Sequence, residues 1–137
     1  MPWTTGANAG FSSADPWLPI TDDPGTLSVE AQERTPGSML ALHRQLLALR
    51  RSEPALQLGS WTGLDAPAGV IAYAREHGGT RLLVLLNLTR EPATVALDGA
   101  WIVELSTGLD RGPGVPAGSA VGLRGDEGLV LRAAGPR

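Results

Sequence analysis

The sequence has no cysteine, no lysine and only 4% aromatic residues. Without cysteine there is no disulfide staple, no thiolate zinc site and no cysteine nucleophile, which fits a cytoplasmic protein. Every one of its 11 basic side chains is an arginine; they are dispersed rather than clustered, and the formal net charge is −3. That balance excludes a surface built to follow a nucleic-acid backbone, so no nucleic-acid partner is expected. The longest apolar run, Leu82 to Leu86, is far shorter than the roughly 20 residues that cross a bilayer. No membrane partner is expected either, and the start of the chain lacks the charged-then-apolar pattern of a secretory leader. The only two histidines, His43 and His77, do not form an HxxxH or HxH pair, so neither a metal site nor a cofactor is expected.

What is present falls into three zones. Residues 1–34 are irregular, rich in Gly, Pro, Asn, Asp and Ser, with no lasting period of 2 or 3.6. Their apolar residues, Trp3, Phe11, Trp17, Leu18 and Ile20, argue against a solvated tail. One helical turn is expected near Ser28 to Glu33, capped by Ser28. The second zone, residues 35–53, reads as a helix over Pro36 to Ser52 with Thr35 as cap and Pro36 in the first turn. Met39, Leu42, His43, Leu46, Leu47 and Arg50 form one stripe, so His43 is expected to be packed, and Pro54 ends the helix.

The third zone, residues 55–137, reads as an antiparallel β-sandwich. Expected strands are Leu56–Gly63, Val70–Glu76, Arg81–Leu88, Ala93–Leu97, Trp101–Ser106, Ser119–Leu123 and Gly128–Arg132, separated by Gly- and Pro-containing turns. His77-Gly78-Gly79-Thr80 predicts a tight hairpin. Leu82–Leu86 does not alternate, which predicts a central strand covered on both faces. The fold class is therefore mainly β: a sandwich preceded by one helix and a long irregular arm.

Chemistry is harder to find. Glycosidases need two carboxyl groups facing each other across a sugar. The neighbouring acids are Asp22/Asp23, Glu30/Glu33 and Asp126/Glu127. Nothing around them predicts the raised pKa of a general acid, and all are expected at the surface, with Asp126 and Glu127 in a turn pointing to water. Gly112-Pro113-Gly114-Val115-Pro116-Ala117 matches GxGxxA formally, but Pro116 obstructs the helix such a motif needs, so it reads as a loop. There is no GxSxG nucleophile motif, and Asn87-Leu88-Thr89 is a sequon without an expected role. The four tryptophans are expected in core or interface packing. An independent carbohydrate-binding module would instead need a row of exposed aromatics, with Trp61, Tyr73 and Trp101 as its candidates.

Met1-Pro2-Trp3, Asn8-Ala9-Gly10-Phe11, Pro16-Trp17-Leu18-Pro19-Ile20 and Ser28-Val29-Glu30-Ala31-Gln32 occur in this order. Pro36-Gly37-Ser38-Met39-Leu40 and Leu46 to Leu56 follow them. Together they resemble the C-terminal part of glycoside hydrolase family 13, the α-amylase superfamily, in its α-glucosidase, oligo-1,6-glucosidase and trehalose synthase group. The resemblance implies that residues 1–34 connect barrel strand 8 to helix 8, that residues 35–53 are the last helix of a TIM barrel whose remainder is lost, and that residues 55–137 are the C-terminal β-domain. It implies a retaining parent enzyme acting on α-glucosidic oligosaccharides. The parent's three catalytic acids lie upstream of the matched stretch, so no residue here is assigned a catalytic role and the isolated chain is expected to be no enzyme. The family's Arg-x-Pro element before Met1 has no counterpart, which implies a truncated gene, a misassigned start or an assembly break. The missing barrel region is then the expected partner, with α-glucosides as the small-molecule ligand, and Asn8 and Phe11 are the expected substrate-proximal residues.

Overall fold

The computed structural model describes residues 2–20 and 23–135. The chain divides into two compact units, Met1–Gln45 and Leu46–Arg137, and each is described by itself.

The first unit opens with an extended segment and a 3₁₀ turn, Ala7–Gly10, followed by helices α1 (Pro24–Leu27) and α2 (Val29–Glu33). The expected helical turn is α2, and Ser28, fully buried, caps it by accepting from Ala31 N–H at 3.3 Å. Two further α2 amides at this end, on Val29 and Glu30, donate to the carbonyls of Pro2 and Trp3 at 3.1 and 3.0 Å. The extended segment thus takes up donors that a short helix cannot satisfy itself. Helix α3 spans Met39–Ser52, starting later than the sequence suggests. Its cap is Ser38, not Thr35: Ser38 Oγ accepts from Ala41 N–H at 3.2 Å, and Gln32 Oε1 takes Leu40 N–H at 2.9 Å. Thr35 Oγ instead donates to the Ala31 carbonyl at 3.1 Å. A glutamine folded back from the previous helix decided the boundary. His43 corrects another expectation, because it is exposed, held only at Nδ1 against the Met39 carbonyl at 3.0 Å.

The second unit begins with the end of α3. A new helix, α4 (Pro54–Leu58), takes the first residues of the strand expected over Leu56–Gly63, which begins only at Ser60. Pro54 does end α3, but it also occupies the first turn of α4, where its missing N–H costs nothing. The strands are β1 (Ser60–Leu64), β2 (Val70–His77), β3 (Thr80–Asn87), β4 (Ala93–Ala96), β5 (Trp101–Ser106), β6 (Pro116–Ala117), β7 (Ala120–Leu123) and β8 (Gly128–Ala133). Among the described residues, six strands form one sheet in the order β1-β2-β3-β8-β5-β6, and β4 pairs with β7 in a second. All pairs are antiparallel. β2 and β3 meet through Gly78-Gly79, both at positive φ (55° and 82°), the backbone that a two-residue type I′ turn requires.

One face of the larger sheet presents Ala72, Leu83, Leu85, Val103, Leu129 and Leu131, which form a single core with Val95, Leu97, Val121 and Leu123 of the smaller sheet. On the opposite face, Tyr73, Val84, Leu105 and Val130 line a hollow of about 330 Å³ closed by Leu46, Leu49 and Leu56 of α3 and α4. Strand β3 is therefore covered on both sides, and Leu82 to Leu85 are all buried. Arg132 on the interior strand β8 bonds to Glu53, at the α3–α4 junction, and to Glu104 on β5, tying the junction to the sheet.

Leu85 is fully buried in the inter-sheet core. Leu85→Ala is expected to destabilise the protein by about 2–5 kcal/mol in urea unfolding, as buried leucine truncations do. Leu47→Ala, at a half-exposed helix position, should cost under about 1 kcal/mol.

Candidate functional site

The two residues that the sequence marks as substrate-proximal, Asn8 and Phe11, lie at one turn. Asn8 and Ala9 both have φ of 51° and Gly10 has φ of 66°, three left-handed residues in succession. Such backbone is costly for residues with a Cβ and persists only where the surroundings impose it. Here the carbonyl of Ala9 accepts from the amides of Trp3 and Thr4 at 2.8 and 3.1 Å, and Ala9 itself is buried. A Cβ on residue 10 would stand 2.7 Å from Thr4 Oγ, so only glycine fits against the threonine. The Asn8 amide nitrogen donates to the carbonyls of Ser12 and Ala14 at 3.2 and 3.1 Å. The turn leads into a loop whose apolar residues face outward: Phe11 is 68% and Trp17 90% exposed. Together with Pro2, Leu18, Pro19 and Ile20 they wall a trough of about 600 Å³.

The carboxylates do not form a facing pair. Glu30 takes Thr5 N–H at 3.1 Å and Arg34 at 2.9 Å, and Glu33 pairs with Arg44 at 2.7 Å. The Thr5 amide first, and the Arg34 charge behind it, hold the Glu30 carboxyl below the usual range against the opposing effect of burial. Asp23 accepts from Thr26 N–H at 3.2 Å as the cap of α1, while Asp22 lies outside the described residues. Asp126 is exposed in its turn, but Glu127 is not. Only 3% exposed, Glu127 binds Arg124 at 2.6 Å and Arg111 at 3.3 Å and accepts Arg124 N–H at 2.8 Å. The turn folds back over its own acid, and two arginines, Arg124 three residues before it and the sequence-distant Arg111, offset the cost of that burial. Arg124 also grips Asp110 through two bonds of 2.6 and 2.9 Å.

Asn87 has a role that the sequence did not suggest. Nearly fully buried, it donates to the carbonyls of Glu91 and Arg124 at 2.7 and 2.9 Å and accepts from the amide and hydroxyl of Thr89. Its carboxamide is fully bonded, so the sequon offers no free nitrogen for a glycan. Trp101 is 5% exposed, donates to the Asp98 carbonyl at 2.9 Å and lies under Arg81. Trp61 is 64% exposed and stacks on Tyr73 with ring centroids 6.0 Å apart. The row of three aromatics therefore does not form. Among the described residues no group of three or more His, Cys, Asp or Glu gathers to hold a metal, and no helix is long and apolar enough to cross a membrane.

Residues 1–59 match the family description "Alpha amylase, catalytic domain". The chain is related to the α-amylase family. It is 36% identical over 97 residues to a probable alpha-glucosidase of Rhizobium meliloti, covering 71% of this chain and 18% of that protein. It is 38% identical over 109 residues to the trehalose synthase/amylase of Mycobacterium tuberculosis, covering 72% of this chain and 18% of that protein. Among solved structures, trehalulose synthase from Pseudomonas mesoacidophila MX-45 superposes with a TM-score of 0.83 at 28% identity, covering 96% of this chain and 24% of that one. The chain thus spans about a fifth of the length of the curated α-amylase-family relatives it matches, and its fold is that of a C-terminal domain of such an enzyme.

Hydrogen bonds from Arg124 hold the Asp110 carboxyl at about 2, below the usual carboxylate value near about 3.9. A group depressed on folding adds stability above its unfolded pKa and loses it as the pH falls toward the folded one. Asp110→Asn is therefore expected to flatten the fall in stability between about pH 4 and about pH 2, read as Tm against pH. Added salt should shrink the difference, because the pair is exposed.

Proposed function

We propose that this chain serves as the non-catalytic C-terminal portion of an α-glucosidase-type glycoside hydrolase acting on α-glucosidic oligosaccharides. In this reading, residues 1–34 form part of the active-site rim, residues 35–53 are the closing helix of a barrel and residues 55–137 are a stabilising β-domain. The missing barrel region is the partner that supplies the catalytic acids. The observation that carries the reading is the match of residues 1–59 to the catalytic domain within a chain about a fifth as long as the relatives. The state of the acids supports it. A general acid needs a raised pKa in a water-poor cleft, whereas Glu30 and Asp110 are shifted the other way by their donors. The relatives carry names for different reactions, alpha-glucosidase, trehalose synthase and trehalulose synthase, so this shared portion does not select the linkage.

A second reading rests on the exposed Trp61 stacked on Tyr73, which offers one aromatic face to a sugar. Tryptophan fluorescence titrated with maltooligosaccharide tests it. No change at millimolar sugar removes it.

Two assays test the main reading. The purified chain should release no glucose from an aryl α-glucoside, maltose or trehalose. A chimera in which this chain replaces the matched portion of the Rhizobium meliloti relative should turn over the aryl α-glucoside. Turnover by the chain alone, or a folded chimera with no turnover, overturns the proposal.

A further inference from the structure

Resting on that reading of the arm as an active-site rim, we propose that Asn8 is a positioning residue. Its carboxamide and left-handed backbone lock the loop that follows, so that the Phe11 ring, and not Asn8, meets the apolar face of an α-glucoside.

Both hydrogens of the Asn8 side-chain amide are assigned within the loop, to Ser12 and Ala14. No donor is left for a sugar hydroxyl, since a carboxamide has only two. Asn8 is half-buried, while Phe11, three residues on, is 68% exposed. The loop is tied at several points. Ser12 Oγ accepts from Ala14 N–H at 3.0 Å, Phe11 N–H donates to the Asn8 carbonyl at 3.0 Å, and Gly10 is pressed against Thr4. A mobile surface loop would not require Asn8 and Ala9 to be left-handed in succession, since each of these two costs free energy that disorder would release. The bonds of Asn8 span the reversal and hold Phe11 and Trp17 on the walls of one trough. Asparagine suits the position because it tolerates the left-handed region and supplies two donors to two carbonyls. Aspartate tolerates the backbone but turns a carboxylate toward those carbonyls, and glycine keeps the backbone while losing both donors.

Two experiments test this, one on the chain and one on the chimera. In the chain itself, the Asn8 carboxamide protons should exchange about tenfold or more slower than those of a free amide, the protection one to two hydrogen bonds provide. Exchange at the free rate overturns the clamp whatever the chimera does. In the active chimera, N8D, N8G and F11A should each raise KM for the aryl α-glucoside about tenfold with kcat nearly unchanged. The double variant N8G/F11A should be no worse than F11A alone, because the clamp acts through the ring it positions. Additive losses mean that Asn8 touches the sugar independently and overturn the proposal, as does an N8G or N8D chimera with unchanged KM. An inactive wild-type chimera sinks the rim reading instead, leaving the exchange measurement to decide the clamp.

Discussion

Strand β3 sets the terms for the β-unit. Leu82, Leu83, Val84 and Leu85 are buried in sequence, so successive side chains, pointing to opposite faces, all demand apolar cover. One sheet cannot provide that. The second sheet answers Leu83 and Leu85 with Val95, Leu97, Val121 and Leu123, and the C-terminal half of α3 with α4 answers Val84. The position of β3 follows from the same demand. It pairs with β2 on one side and β8 on the other, and these flanking strands bring Ala72, Leu129 and Leu131 to the inter-sheet core. Each cover leaves a hollow: about 310 Å³ beside Ala72, Leu83, Leu85, Val95 and Leu97 between the sheets, and about 330 Å³ on the helix side.

Sequence was a good guide wherever the deciding interaction is local. The unalternating leucine run, the Gly78-Gly79 turn and the Ser28 cap each depend on residues within a few positions, and each appears as expected. The misses share the opposite property. The α3 boundary moved because Gln32, eight residues before Leu40, supplies an acceptor there. Glu127 is buried because Arg111, sixteen positions upstream, reaches it in addition to the nearby Arg124. Asn87 looks like a sequon until the carbonyl of Arg124 is brought to it across the fold. Trp61 and Trp101 are both strand tryptophans, yet one is at an exposed sheet edge and the other in the core, because only Trp101 faces the second sheet. Of the candidate site, the order of motifs singled out Asn8 and Phe11, but not that the Asn8 carboxamide bonds back to the Ser12 and Ala14 carbonyls while Phe11 is exposed.

Absence of lysine shapes how the acids are held. An arginine fork can satisfy two carboxylates or both oxygens of one, which an ammonium does less well. Arg124 bridges Asp110 and Glu127, and Arg132 bridges Glu53 and Glu104. These shared forks tie loops and helix ends to the sheet. At Asp110 the hydrogen bonds from Arg124 also hold the carboxyl below the usual carboxylate range, which suits an anchor and opposes proton donation.

Unusual backbone serves different ends in the two units. Among the described residues of the β-unit, the non-glycine ones at positive φ are Leu109 and Asp126, and each belongs to a turn that brings an acid, Asp110 or Glu127, onto Arg124. The strain there is offset by charge-assisted bonds and ends in a closed network. In the arm, Asn8 and Ala9 are offset only by neutral bonds to main-chain groups, and the outcome is aromatic surface turned toward solvent. A fold that holds strained backbone in order to expose Phe11 and Trp17 gains nothing from their burial in this unit. The cost has its return only where another surface or a ligand covers those rings, which is why the arm, rather than the better-packed sandwich, is the place to look for function.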